Sequence, residues 1–119
     1  MNGAVMIRWG AGVPNREAKG LEVFGKAVER FEELTKQGRL HSHREYFALT
    51  GPASGFMILD GQVEELLKIV AEDETLRLNA QAESIVSDFE VQVYAGGDDQ
   101  SVQQLMGNYT SALQEVGYM

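Results

Sequence analysis

The cleanest alternation of polar and apolar positions runs through SDFEVQVYAGG, Ser87 to Gly97: Phe89, Val91 and Val93 fall on one side of an extended segment, and Asp88, Glu90, Gln92 and Tyr94 on the other. That period of two predicts a strand over Ser84–Tyr94, ended by Gly96-Gly97. A shorter run, Ala4–Trp9, predicts a first strand that stops at Gly10-Ala11-Gly12. Between Arg16 and Gln37 the period changes: Leu21, Phe24, Ala27, Val28, Phe31 and Leu34 recur at three and four, which predicts a helix with one buried stripe, started by Pro14 and Asn15 and stopped by Gly38. His41–Thr50 and Gly55–Asp60 read as two strands joined by the turn cluster Gly51-Pro52-Ala53-Ser54. Asp60 or Gly61 then caps a second helix, Gln62 to about Ala71, with the stripe Val63, Leu66, Leu67 and Val70. Asp73 reads as the cap of a further short turn that carries Leu76 inward. Past the glycines, Asp98–Val116 repeats the helical period with Val102, Leu105, Met106, Tyr109, Ala112, Leu113 and Val116, and Gly107 weakens it enough that it should need a packing partner.

The order is β-α-β-β-α-β with a helix appended, in one domain over residues 1–119: a core of 1–97 and a helical extension of 98–119. Right-handed crossovers put both core helices on one side of a four-stranded, antiparallel-rich sheet, the split β-α-β arrangement, and leave the other face bare. With the last strand antiparallel to the first, Val5, Ile7, Phe89, Val91 and Val93 suit the covered face. The bare face receives Met6, Arg8, Asp88, Glu90, Gln92 and Tyr94. On the second strand, Phe47 and Leu49 toward the helices leaves Arg44, Tyr46 and Ala48 on the bare face and turns His43 and Glu45 to the covered side. Phe56-Met57-Ile58-Leu59 is apolar on both faces, as a strand buried on both sides would be. A bare face of this kind is better matched to a second sheet stacked across a partly polar space than to open water.

Charge narrows the partners. A net charge of −8, with ten basic residues scattered beside acids, argues against a surface that tracks nucleic-acid phosphates. The absence of cysteine excludes disulfides, thiolate zinc sites, iron–sulfur clusters and Cys nucleophiles. No apolar run approaches a membrane span and the first residues hold too short a one for a secretory core, so the expectation is a cytoplasmic protein without a membrane partner. No dinucleotide loop, P-loop or Gly-x-Ser-x-Gly elbow occurs.

Two groups carry candidate chemistry. His41 and His43 fall on one side of a strand with Glu45 nearby, but two nearby ligand candidates do not make a metal centre, and no metal or cofactor is expected. Arg8 and Glu90 should be neighbours across the first and last strands, and the first reading of that pair is a salt bridge. The functional reading gives Arg8 an anionic group to bind, makes Glu90 or Asp88 a base, and uses Tyr46 or Tyr94 as donor to an enolate-like oxygen. Arg8, Arg44, Tyr46, Glu90, Gln92 and Tyr94 are then the expected ligand-binding set.

The segments PNREAKGLEVFGKAVERFEEL, GRL, LTGPASGFMILDG and DETLRLNAQAESIVSDFEV, spanning about Val5 to Gly97, resemble a set of small uncharacterised bacterial proteins of the dimeric α+β barrel superfamily. The resemblance implies a ferredoxin-like α+β fold whose protomers close their open sheets against each other as a homodimer. Among functions, it allows cofactor-independent monooxygenases, isomerases, dehydratases, haem-degrading enzymes and ligand-sensing modules. Of the His and Asp pair used in the YCII-like branch, Asp73 matches the acid, whereas Arg16–Gln37 holds no His; Trp9, Asn79 and His43 do not sit where a haem-degrading set would need them. The leading expectation is a homodimer that binds a small molecule in a cavity between the sheets. The alternatives are a cofactor-independent monooxygenase or isomerase working by carboxylate proton abstraction, and a structural or interaction module with a filled interface.

Overall fold

The computed structural model describes residues 1–51 and 54–119, so Pro52 and Ala53 of the predicted turn cluster lie outside the described residues. Four strands, β1 (Asn2–Trp9), β2 (Ser42–Phe47), β3 (Gly55–Gln62) and β4 (Glu90–Ala95), form one sheet in the order β2-β3-β1-β4, with every neighbouring pair antiparallel. The helices are α1 (Glu17–Lys36), α2 (Val63–Ala71), α3 (Asp73–Glu83) and α4 (Asp99–Glu115). This is the α+β order read from the sequence, with β3 and β1 as the central strands.

Register fixes the faces. Val5 lies opposite Leu59 and Val93, and Ile7 opposite Met57 and Val91, so these side chains share the covered face. With Phe31 and Leu34 of α1, Leu40, and Leu66 and Ile69 of α2, they form the core. Met6 opposite Ile58 and Gln92, Arg8 opposite Phe56 and Glu90, and Arg44 opposite Ile58 share the bare face, as alternation implies.

Several details differ from the sequence reading, among them the helix cap expected at Asp60 or Gly61, which both lie inside β3. The last strand begins at Glu90, not Ser84: α3 runs on to Glu83, and Asp88 adopts a left-handed backbone (φ 53°) in the turn that enters β4, outside the ladder. The short turn after Asp73 is a helix of 11 residues capped at Glu72, and it buries Thr75 and Leu78 while Leu76 stays exposed. On α2 the buried side chains are Leu66 and Ile69, and Leu67 points out. Leu49 lies beyond the end of β2 and is exposed.

Glu72 explains why the second helical region is broken. Its backbone is extended (ψ 144°), ending α2 and starting α3, and its carboxylate is gripped by Arg39 at 3.0 Å and Arg30 at 3.0 Å. Those hydrogen bonds and charges, Arg39 first, hold the Glu72 carboxyl below its ordinary pKa. Asp73 and Glu74 in the first turn of α3 then suit the positive end of its dipole. After the break α3 packs on α1 and α2.

The last helix behaves differently from the rest. Asp98 caps α4 by accepting from the Ser101 backbone N–H at 2.7 Å, and the Ser101 hydroxyl accepts from the Asn2 N–H at 2.9 Å, tying its first turn to the start of β1. Beyond that turn it stands off the body: the chain measures 56 × 33 × 26 Å with a radius of gyration of 16.9 Å, against about 13.5 Å for a compact domain of this length. No helix among the described residues is long and apolar enough to cross a membrane.

Candidate functional site

A cavity of about 470 Å³ lies on the covered side of the sheet, between the Trp9 end of the strands and the helices α1 and α3. Its floor is Ile7, Trp9 and Met57; its walls are Val23, Phe24, Ala27 and Phe31 from α1 and Leu78, Asn79 and Ala82 from α3; Ile85, Val86 and Phe89 close one side. The space exists because α3 packs on the other helices and leaves the sheet beneath it, near Trp9, without a layer of its own. Trp9, Phe24 and Phe47 form an aromatic cluster with ring centroids 5.3–6.1 Å apart, in edge-on and tilted arrangements that suit their quadrupoles. Gly55 sits directly under the Trp9 ring: a Cβ there would lie 2.7 Å from the indole and collide with the Tyr46 carbonyl, so glycine lets the tryptophan lie flat against β3.

The mouth is partly polar. Arg16 donates to the Ser84 carbonyl at 2.5 Å, holding the start of α1 against the end of α3, and Glu17 accepts from the Asn15 N–H. Leu21, Phe47 and Leu49 are left exposed around the same end of the sheet. Trp9 and Asn79 both line the cavity, and among the described residues no hydrogen bond engages the indole N–H or the amide.

The residues singled out from the sequence occupy the opposite face. Arg8 and Glu90 meet at 2.5 Å, each about half exposed, and Arg44 reaches Asp60 at 3.2 Å with its other terminal nitrogen toward the Tyr46 hydroxyl. Tyr46 stacks on Phe56 with centroids 4.9 Å apart, and the Tyr94 hydroxyl donates to the Gln92 amide oxygen. Arg8, Arg44, Tyr46, Glu90, Gln92 and Tyr94 thus share one surface, with every charge on it already matched; Asp88 is set apart in its turn. None of the six lines the large cavity.

His41 and His43 do not act together. His41 precedes β2 and is exposed, whereas His43 is on the covered face with Nδ1 2.5 Å from Glu45 and Nε2 2.6 Å from Glu32 of α1. Burial pushes this imidazole's pKa down, but the hydrogen bonds and charges of Glu32 and Glu45 outweigh burial and leave it above its ordinary value. The carboxylates use both ring nitrogens from opposite sides, so the cluster is a clasp between α1 and the edge strand.

Sequence reasoning counted Phe24 among core residues and Phe47 among covered-face residues, and did not bring Trp9, Arg16 and Asn79 together. The available signal was a covered-face Trp at a strand end, followed by Gly10-Ala11-Gly12, in register with another aromatic at the end of β2.

No family model matches the chain and no curated protein matches it. Solved structures do. A conserved protein from Methanosarcina mazei Go1 superposes with a TM-score of 0.61 at 14% identity, over 79% of this chain and 92% of that one. A dimeric protein of unknown function and ferredoxin-like fold from Bacteroides fragilis gives 0.58 at 10% identity, over 78% and 94%. SnoaB, a cofactor-independent oxygenase from Streptomyces nogalater, gives 0.60 at 14% identity, over 82% and 93%. These likenesses establish the fold, ferredoxin-like α+β.

Proposed function

We propose that the protein is a homodimer that binds an apolar small molecule, one in each protomer, in the cavity between the sheet and helices α1 and α3. The observation that carries this reading is the cavity itself: about 470 Å³ with aromatic and aliphatic walls, and Trp9 and Asn79 in its lining. That is the usual size and make-up of a small-molecule site, where apolar area supplies affinity and a few polar groups fix orientation. The ligand it suits is a flat hydrophobe bearing a carbonyl or hydroxyl within reach of those two groups. The bare sheet face suits a different task. Its charges are neutralised in pairs and its centre is Met6, Phe56 and Ile58, which fits a sheet-to-sheet contact between two copies better than a ligand; the dimeric B. fragilis neighbour supports that assembly.

Trp9 is the sole tryptophan, so its emission reports on the cavity directly. Titration with 1-anilinonaphthalene-8-sulfonate and a library of aromatic compounds should quench Trp9 saturably, and Ala27→Phe, which fills the cavity from α1, should weaken that binding by at least roughly tenfold with the thermal transition retained. Quenching that ignores Ala27→Phe would place the guest elsewhere and overturn the reading.

The likeness to SnoaB supports a second reading, an enzyme acting without a bound cofactor. On the bare face it would require the Glu90 carboxylate, or Asp88, to leave its present surroundings and take a proton while Arg8 binds the resulting anion. Glu90→Gln should then abolish turnover in an intact dimer; under the binding reading it leaves Trp9 quenching unchanged.

A further inference from the structure

We infer that the cavity is entered through a seam between residues 10–16 and residues 84–88, which unzips to admit a guest and is latched by Arg16. The inference rests on the cavity-binding reading above and adds what controls the passage of the guest in and out.

Past Trp9 the pairing of β1 with β4 stops and then resumes: Gly12 pairs with Val86 in the register that joins Arg8 to Glu90. At the break Asp88 takes a left-handed backbone (φ 53°), and beyond the resumed pairing, before α1, Asn15 does the same (φ 70°). Such conformations are uncommon outside glycine and gather at ligand clamps and switch segments. The pairing between them is light. Across it the Gly10 N–H donates to the Ser87 carbonyl at 2.7 Å, the Ser87 N–H to the Ala11 carbonyl at 2.8 Å and the Val13 N–H to the Ile85 carbonyl at 2.8 Å. Among the described residues no further strand pairs with either side, whereas β1 within the sheet has a neighbour on both. Ala11, Gly12, Ser87 and Asp88 are exposed. Backbone held by so few ladder bonds and open to water unfolds locally at much lower free energy than a core strand. Yet both sides of this seam are cavity wall: Gly10, Gly12 and Val13 line the space from one side, Ile85 and Val86 from the other. The first side runs into α1 and the second comes from α3, so parting them opens the cavity between its two walling helices. The remaining fastenings cross the same line. Ile85 is buried against Gly20 of α1, and the Arg16 guanidinium donates to the Ser84 carbonyl. Arg16 is exposed, so its bond can be exchanged for water when the seam parts.

Because the chain has no cysteine, the seam can be stapled without background. Gly12 and Val86 lie between the Ser87–Ala11 and Val13–Ile85 hydrogen bonds. Antiparallel pairs in that position sit about 4.5 Å apart at Cα, which suits a disulfide. A Cβ on Gly12 meets nothing nearer than 4.0 Å. In the full-length chain carrying Gly12→Cys with Val86→Cys, oxidation should slow both the quenching of Trp9 by 1-anilinonaphthalene-8-sulfonate in stopped flow and the release of that probe, each by at least about tenfold. Dithiothreitol should restore both rates. Equal rates in the oxidised and reduced protein would overturn the inference. Hydrogen exchange followed by NMR tests the seam without any guest: in the wild type the Val13 and Ser87 amides should exchange at least roughly a hundredfold faster than hydrogen-bonded amides of β1 and β4, and faster still in Arg16→Gln. Seam amides as protected as those of the sheet, or indifferent to Arg16→Gln, would overturn the inference even where the disulfide does not form. Saturable quenching beside a seam that stays shut would leave the binding reading standing alone, and a seam that opens in a protein without saturable quenching the reverse.

Discussion

His43 shows how much one side chain can fasten. It faces Glu32 of α1 on one nitrogen and Glu45 of its own strand on the other, with Lys36 acting on Glu32 from one turn further along α1. Its pKa is raised in the folded chain, so its contribution to stability is fully present below the ordinary histidine value of about 6.5 and is lost as pH rises through the higher folded value. Glu32, hydrogen-bonded by His43, is lowered, so its share is present above the ordinary carboxylate range and lost as pH falls. Wild-type stability to chemical denaturation should therefore fall as pH rises above the ordinary histidine value, and His43→Gln should flatten that limb. An unchanged alkaline limb would remove the clasp from the account. The clasp illustrates the limit of local reading: alternation placed His43 and Glu45 on the covered side, but Glu32 is eleven positions away on another element, and no periodicity links them. Arg8 and Glu90 were legible because two strands of known direction fix which positions face each other.

Elements were read well where one periodicity held and poorly where two forces met. The α1 pattern is sound, yet Leu21 is exposed because the cavity leaves nothing for it to pack on. A cavity is a distance between layers, and residue spacing does not encode it. The Glu72 break likewise follows from Arg30 and Arg39 meeting over one carboxylate, a tertiary event. The fit of Trp9 on Gly55 gives a test at this scale. Gly55→Ala puts a methyl 2.7 Å from the indole and against the Tyr46 carbonyl, and such overpacking costs about 1–3 kcal/mol. The expected outcome is a lower denaturation midpoint with shifted Trp9 emission and weaker probe binding. Unaltered emission would mean that the ring does not depend on the missing side chain.

For the whole molecule, the question is how a charged sheet face can be covered. Arg8 and Glu90 neutralise each other before any partner arrives, so the pair can be dried with less penalty than either group alone. In the proposed dimer, Arg8→Ala should then strand Glu90 in the interface and weaken association by roughly 2 kcal/mol, about thirtyfold in dissociation constant. Arg8→Met with Glu90→Met should recover much of that loss, as measured by sedimentation. A double substitution no better than the single one would assign the pair a role beyond neutralisation.

The position of β1 in the sheet bears on how the chain is made. Of the four strands, the first to be synthesised sits between β3 and β4, with Gly3 paired to Ala95. Contacts so distant in sequence form slowly, because a long loop must close before they are rewarded. While the chain grows, one side of β1 can pair with β3, but the other waits until β4, Glu90–Ala95, has been made. During that interval Val5 and Ile7 lie beside an open strand edge, the kind of surface that recruits other chains. The last strand therefore acts as the seal on the nascent protein, and interruption of synthesis before Glu90 would release a product that has the core helices but an unguarded edge.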